Sequence, residues 1–175
     1  TFAELGSITM KHIFIDEVNQ DLYFLATPQV AATSAYVMKT SLSNFNPQVV
    51  YVIPIEISRI TNFKINPVTG HMYFSQENGG PYFGLNYYDP SSNQIISLVN
   101  TEVDAFCFNT SGDVFYVSLN TLLDIQGNTI CTANNIYNVF YNPLTSSFIL
   151  QSSTQIFTDQ SIVIYNSEVG SIRDM

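Results

Sequence analysis

Residues 62–74 read NFKINPVTGHMYF: a short apolar run ends at Asn66, a polar turn follows, and a second apolar run begins after Gly70. The same arrangement recurs at three other places, 12–24 (HIFIDEVNQDLYF), 105–116 (AFCFNTSGDVFY) and 138–150 (NVFYNPLTSSFIL). β-branched and aromatic residues fill these runs, as is typical of strands. Each copy therefore predicts a β-hairpin, and the repetition predicts stacked units that bury together what one unit cannot bury alone.

One Asn or Asp ends the first run of every copy, and we call these residues the anchors: Asp16, Asn66, Asn109 and Asn142. The anchors are 50, 43 and 33 residues apart, spacings that bracket the roughly 40–50-residue period of propeller blades. Two further strands fit between successive anchors, so each unit is predicted to be a four-stranded antiparallel sheet. The second unit shows this best, with strands predicted at 60–66, 71–76, 82–89 and 94–99.

These units predict one all-β, propeller-like domain over residues 1–175, either a small closed propeller or part of a larger one. Closed propellers have roughly 4–8 blades, so four is the lower end of that range. The blades are expected at about 9–55, 58–100, 103–133 and 136–173. Residues 1–8 are predicted to form the outer strand of a preceding or closing blade.

The charge balance limits the partners. The chain has 5 Lys and Arg against 14 Asp and Glu, for a net charge of −9, and its basic residues are scattered singly. Nucleic acids and anionic membranes are therefore poor partners, whereas cationic ligands or metal ions fit better. No apolar run approaches the roughly 18–20 residues of a membrane span. Only 11% of the residues are charged, and a surface of uncharged polar residues favours an extracellular or cell-surface location.

Two features concern covalent modification. Cys107 and Cys131 fall on strands of one blade that are not neighbours, and a disulfide needs Cα atoms within about 7 Å, so both are predicted to be buried free thiols. A single glycosylation sequon, Asn109-Thr110-Ser111, lies on a predicted turn where a sugar could fit. Asn109 is also an anchor, and its turn-forming role is the alternative.

The stretch from Asn66 to Phe74 resembles the Asn-Pro-x-Thr-x-x-x-Tyr-Val turn of the YVTN and NHL-like propeller families, and residues 142–145 (NPLT) resemble a weaker copy. The chain departs from WD40 repeats because it has no Trp. It departs from kelch repeats because the pair Gly79-Gly80 occurs once rather than at blade spacing. The resemblance implies a propeller fold, which hosts many unrelated functions, so the activity has to be argued from a site.

Polar residues recur where each innermost strand is predicted to begin: His12, Asn62, Asp104 and Asn138. Oxygen and nitrogen ligands of this kind could hold Ca²⁺ or another divalent ion at the mouth of the channel. Lactonase-like propellers use a similar arrangement, which would make the chain a metal-assisted hydrolase. The alternative is that these side chains bond turn backbones, as Asn and Thr often do at strand ends.

Loops at the rim suggest a second kind of site. The segments 27–33 and 77–81 are the largest interruptions, and Glu77, Asn78 and Tyr82 lie at or beside the second of them. Loops carry recognition more often than cores do, and Tyr is a frequent anchor of contacts. We therefore predict a non-catalytic binding or scaffolding module for a protein or glycan, without a cofactor. Further blades of the same chain, or an oligomer, are additional partners that the repeat allows.

Overall fold

The computed structural model describes residues 8–17, 19–28, 34–53, 59–77 and 82–166. These residues form sixteen strands and no α-helix, and no helix among them could cross a membrane. The segment predicted as an outer strand, 1–8, lies almost wholly outside the described residues, and so do residues 29–33, 78–81 and 167–173.

The strands follow one another in four antiparallel sheets of four, each in simple chain order. Blade 1 contains β1 (Ile8–Asp16), β2 (Asp21–Pro28), β3 (Ala35–Ser41) and β4 (Gln48–Ile53). Blade 2 contains β5 (Ile60–Ile65), β6 (Met72–Gln76), β7 (Gly84–Asp89) and β8 (Gln94–Val99). Blade 3 contains β9 (Ala105–Phe108), β10 (Val114–Ser118), β11 (Thr121–Asp124) and β12 (Thr129–Thr132). Blade 4 contains β13 (Ile136–Asn142), β14 (Ser147–Ser152), β15 (Gln155–Thr158) and β16 (Val163–Asn166).

The sheets are arranged as the four blades of a β-propeller, which confirms the predicted fold class. The first strand of each blade contacts the first strand of the next, from β1 to β5, β5 to β9 and β9 to β13. Three apolar clusters fill the spaces between successive blades. The blades are therefore held together by face-to-face burial of apolar side chains.

The residue three positions before each anchor shows how the blades pack. Phe63, Phe106 and Val139 are 5%, 0% and 0% exposed, and each belongs to the cluster shared with the preceding blade. Ile13 holds the same position in blade 1 and is 67% exposed. Within the described part of the chain, the face of blade 1 that points away from blade 2 is thus open at this position. That further blades of the same chain, or an oligomer, act as partners of this domain remains a prediction.

The anchors form the turns that were predicted for them. Asn66 is 1% exposed, and its Oδ1 accepts hydrogen bonds from the backbone N–H groups of Val68 and Thr69 at 3.0 and 3.1 Å. Its Nδ2 donates to the Gly112 carbonyl of blade 3 at 2.8 Å. A single buried amide therefore shapes its own turn and ties that turn to the next blade.

We expect Asn66→Ala to lower the free energy of unfolding by about 2 kcal/mol, because it removes three hydrogen bonds made by a buried amide, one of which links two blades. Chemical denaturation monitored by tyrosine fluorescence would measure the change. Asn142→Ala is the matched control at another anchor, where Oδ1 accepts from the backbone N–H of the exposed Leu144 at 3.0 Å. A loss at Asn142 as large as that at Asn66 would contradict the role given to the link with Gly112.

Both cysteines are free thiols, as predicted. Cys107 is buried, whereas Cys131 is only partly buried, because β12 is the outermost strand of its blade and one side of it meets solvent.

Candidate functional site

Two of the four predicted channel-mouth residues use their side-chain amides on the backbone. Asn62 Nδ2 donates to the carbonyl of Asp104 at 2.9 Å, which joins blades 2 and 3. Asn138 Oδ1 accepts from the backbone N–H of Val139 at 3.0 Å. These contacts match the role of strand-end Asn in bonding the backbone.

The other two predicted ligands differ in environment. His12 has a φ of 51° in the bulge of β1, and burial lowers the pKa of its ring, partly offset by a hydrogen bond with the Ile60 backbone. Burial, with a smaller effect of Glu102, raises the pKa of Asp104. The described residues contain no group of three or more His, Cys, Asp or Glu side chains that could hold a metal. The divalent-ion site therefore stays a hypothesis that depends on a single carboxylate.

Of the predicted rim residues, Glu77 and Tyr82 lie at the opposite end of blade 2 from the anchor. Asn78 falls outside the described residues, and Glu77 is exposed. The Tyr82 N–H donates to Gln76 Oε1 at 2.9 Å, and its carbonyl accepts from Asn86 Nδ2 at 2.6 Å. The Tyr82 ring packs against the cluster between blades 1 and 2. The buried side-chain amides of Gln76 and Asn86 thus fix this end of the loop, and part of the Tyr82 ring is buried against the core.

The sequon residue Asn109 is part of a closed turn. Its Oδ1 accepts from the backbone N–H groups of Ser111 and Asp113 at 3.0 and 2.8 Å. Its Nδ2, the atom that a sugar would modify, donates to Asp113 Oδ2 at 2.8 Å. Glycosylation of Asn109 remains a prediction, and it would replace one of the two protons of this amide.

A cavity of about 560 Å³ lies between blades 2 and 3. We call it the inter-blade groove. Tyr73 and Leu98 line it from blade 2, and Asp113, Asp124 and residues 125–126 line it from blade 3. Asp113 lies in the β9–β10 turn and Asp124 ends β11, so two of the three hairpins of blade 3 contribute an acid to one side of the groove.

A row of packed rings, from His71 through Tyr87 to Tyr73, runs across blade 2 to this groove. The rings of His71 and Tyr87 stack with centroids 5.7 Å apart and an interplanar angle of 2°. Tyr87 also stacks with Tyr73 at 5.3 Å, and Tyr73 meets Phe108 edge to face at 5.0 Å. Burial raises the pKa of Tyr73, so its hydroxyl stays protonated at neutral pH. Tyr73, which lines the groove, is therefore held in place by the rings packed against it.

The wall from blade 3 is negatively charged. Hydrogen bonds, first of all from the Asn128 side chain, lower the pKa of Asp124. Asn128 Nδ2 donates to Asp124 Oδ2 at 2.8 Å, and the backbone N–H groups of Gln126 and Asn128 donate to Oδ1 at 3.0 and 2.8 Å. Asp124 is thus held as an ion by its own turn. The groove combines two acids with an apolar and aromatic wall, a combination suited to a cation on an apolar stem.

The sequence did not single out this groove. Asp113 and Asp124 lie at turns, where carboxylates are usually solvated, and His71 directly follows the turn glycine Gly70. The available signal was the recurrence of an acid in two turns of the same blade, but that signal becomes specific only when the neighbouring blade places Tyr73 opposite the acids.

Comparisons with known proteins find similar folds but identify no family for this chain. No family model and no curated protein matches this chain. Two solved structures of the extracellular domain of BT4673 from B. thetaiotaomicron match 86% of the chain at 17% identity, with TM-scores of 0.51 and 0.50. One assigns that protein to a one component system and the other to a hybrid two component system. This chain spans 21% of the length of those domains. The YVTN and NHL-like resemblance stays a prediction.

Proposed function

We propose that this chain is a non-catalytic binding module that uses the inter-blade groove to recognise a basic segment of a partner protein. The observation that carries this proposal is the pairing of Asp113 and Asp124 with the wall of Tyr73 and Leu98 in one cavity. A Lys or Arg side chain has an apolar stem and a cationic head, and the groove offers a surface for each.

The charge of the whole chain supports the same class of partner. A net charge of −9 attracts cationic segments and speeds their association at low ionic strength. The similar solved domains are extracellular domains of a one component or hybrid two component system, and binding outside the cell is the corresponding proposal for this chain. A glycan would use the aromatic wall but would gain little from two carboxylates, so a basic protein segment is the better fit.

The test measures the affinity of a capped (Gly-Arg)₄ peptide by isothermal titration calorimetry. We expect the double variant Asp113→Asn and Asp124→Asn to weaken binding about tenfold or more, because charge-assisted hydrogen bonds are lost. At position 124 Asn keeps the Oδ1 that accepts from the backbone N–H groups of Gln126 and Asn128, so the fold should be preserved. The neutral capped (Gly-Gln)₄ peptide should not bind measurably.

The matched control removes two charges from the opposite end of the blades, by Glu77→Gln and Glu102→Gln. Both side chains are exposed, and Glu77 is a predicted rim residue. We expect this control to bind the peptide within about twofold of the wild type, since distant surface charges are screened. If the control weakens binding as much as the groove variant, the groove is not the site. A larger loss in the control would place recognition at the rim instead.

A further inference from the structure

The innermost strands of all four blades contribute to one small cavity at the centre of the propeller. The residues two positions before the anchors all line it: Phe14, Lys64, Cys107 and Phe140. The cavity has a volume of about 220 Å³. Its remaining walls are Ile65, Pro67, Phe108 and Tyr141, so Lys64 is the only cation among otherwise largely apolar walls. We call this space the central cavity.

Lys64 lies between aromatic rings rather than beside an acid. Its Nζ is 5.7 Å from the ring centroid of Phe106 and also 5.7 Å from that of Phe140. Among the described residues, no hydrogen bond or salt bridge reaches this ammonium. Three N–H donors are therefore left for a group that enters the cavity.

The neighbouring thiol does not supply the missing negative charge. Burial raises the pKa of Cys107 to about 12, so the thiol is neutral at physiological pH. Burial also lowers the pKa of Lys64, and a smaller effect of Cys107 opposes it. Lys64 is partly buried, and among the described residues its ammonium has no anionic partner, so an entering anion would stabilise it.

We propose that the central cavity binds a small monocarboxylate with an apolar body, whose carboxylate accepts hydrogen bonds from Lys64 Nζ. The apolar body would pack against Phe14 and Phe140, which face the cavity from blades 1 and 4. A single cation suits a single negative charge, whereas a phosphate dianion would need more donors and more positive charge. This site is separate from the inter-blade groove and does not depend on it.

The test uses benzoate as the probe and benzamide as its neutral counterpart of the same shape. Ligand-observed NMR on the 175-residue chain is expected to show saturable binding of benzoate and much weaker binding of benzamide. Lys64→Met should weaken benzoate binding ~10–100-fold, the range for a charge-assisted hydrogen bond. Met is an apolar side chain of similar length, so the variant should keep the melting temperature of the wild type or exceed it.

Lys39→Met is the matched control because it removes the same charge elsewhere. Lys39 is on β3, away from the cavity, and its Nζ pairs with Asp21 Oδ2 at 2.7 Å. This variant should bind benzoate within about twofold of the wild type, because Lys39 does not line the cavity. The proposal is overturned if folded wild-type protein does not bind benzoate, if benzamide binds equally well, or if Lys64→Met and Lys39→Met have the same affinity.

Discussion

Gly84→Ala is expected to lower the free energy of unfolding by about 2–5 kcal/mol, the combined effect of backbone strain and a forced shift of packed atoms. Gly84 begins β7 with a φ of +93°, a conformation that L-residues rarely adopt. A Cβ at this position would lie 2.0 Å from the Val99 carbonyl oxygen and 2.9 Å from that of Thr101. Since both obstacles are backbone atoms, no side-chain rotation can relieve the clash. Urea denaturation would measure the loss.

Gly127→Ala separates the two causes. Gly127 has nearly the same φ, +87°, but a Cβ there would meet nothing within 4 Å. In this control, only backbone strain should lower the free energy of unfolding, by about 1–2 kcal/mol. Equal losses in the two variants would show that the approach of β7 to Val99 does not require glycine.

The sequence predicted the fold well because the signals were local. In blade 2 the predicted strands 60–66, 71–76 and 94–99 differ from β5, β6 and β8 by one residue at most. The third prediction, 82–89, begins two residues before β7. Tyr82 has strand-like chemistry, but Gln76 and Asn86 hold its backbone in a turn. Those hydrogen bonds join residues up to six positions apart, and the alternation of apolar and polar residues that indicates a strand does not reveal them.

The candidate sites were harder to predict because they lie between blades. The repeat indicated that equivalent positions of the four blades meet near the axis of the propeller. Polar residues occur four and five positions before the anchors, and these positions were therefore predicted to form the site. The position that lines the central cavity lies two residues before the anchor and is Phe, Lys, Cys and Phe in the four blades. The residues equivalent to Lys64 in the other three blades are apolar. A search for positions that are polar in every blade therefore could not identify Lys64. The inter-blade groove likewise needs Tyr73 and Asp113 to meet across a blade boundary.

Phe106→Ala is expected to lower the free energy of unfolding by about 3–5 kcal/mol, as is typical when a buried aromatic side chain is truncated. Phe106 is 0% exposed and belongs to the cluster between blades 2 and 3. Its ring meets Phe108 edge to face at 5.9 Å and lies under the Lys64 ammonium. The surrounding strands are hydrogen-bonded within their own blades, so they can relax only partially into the space that the ring leaves. Thermal and urea unfolding would both register the loss.

Ile13→Ala tests whether burial, rather than the repeat position, determines this cost. Ile13 also stands three residues before its anchor, but it is 67% exposed. Within the described residues it faces no blade, so its truncation should change the free energy of unfolding by no more than about 0.5 kcal/mol. A loss of several kcal/mol at Ile13 would mean that something covers this face of blade 1 in solution, and repeating the measurement at several protein concentrations would then show whether a second copy does so. A loss below about 1 kcal/mol at Phe106 would contradict the packing of blades 2 and 3 directly, since no relaxed propeller could fill the space of a fully buried ring.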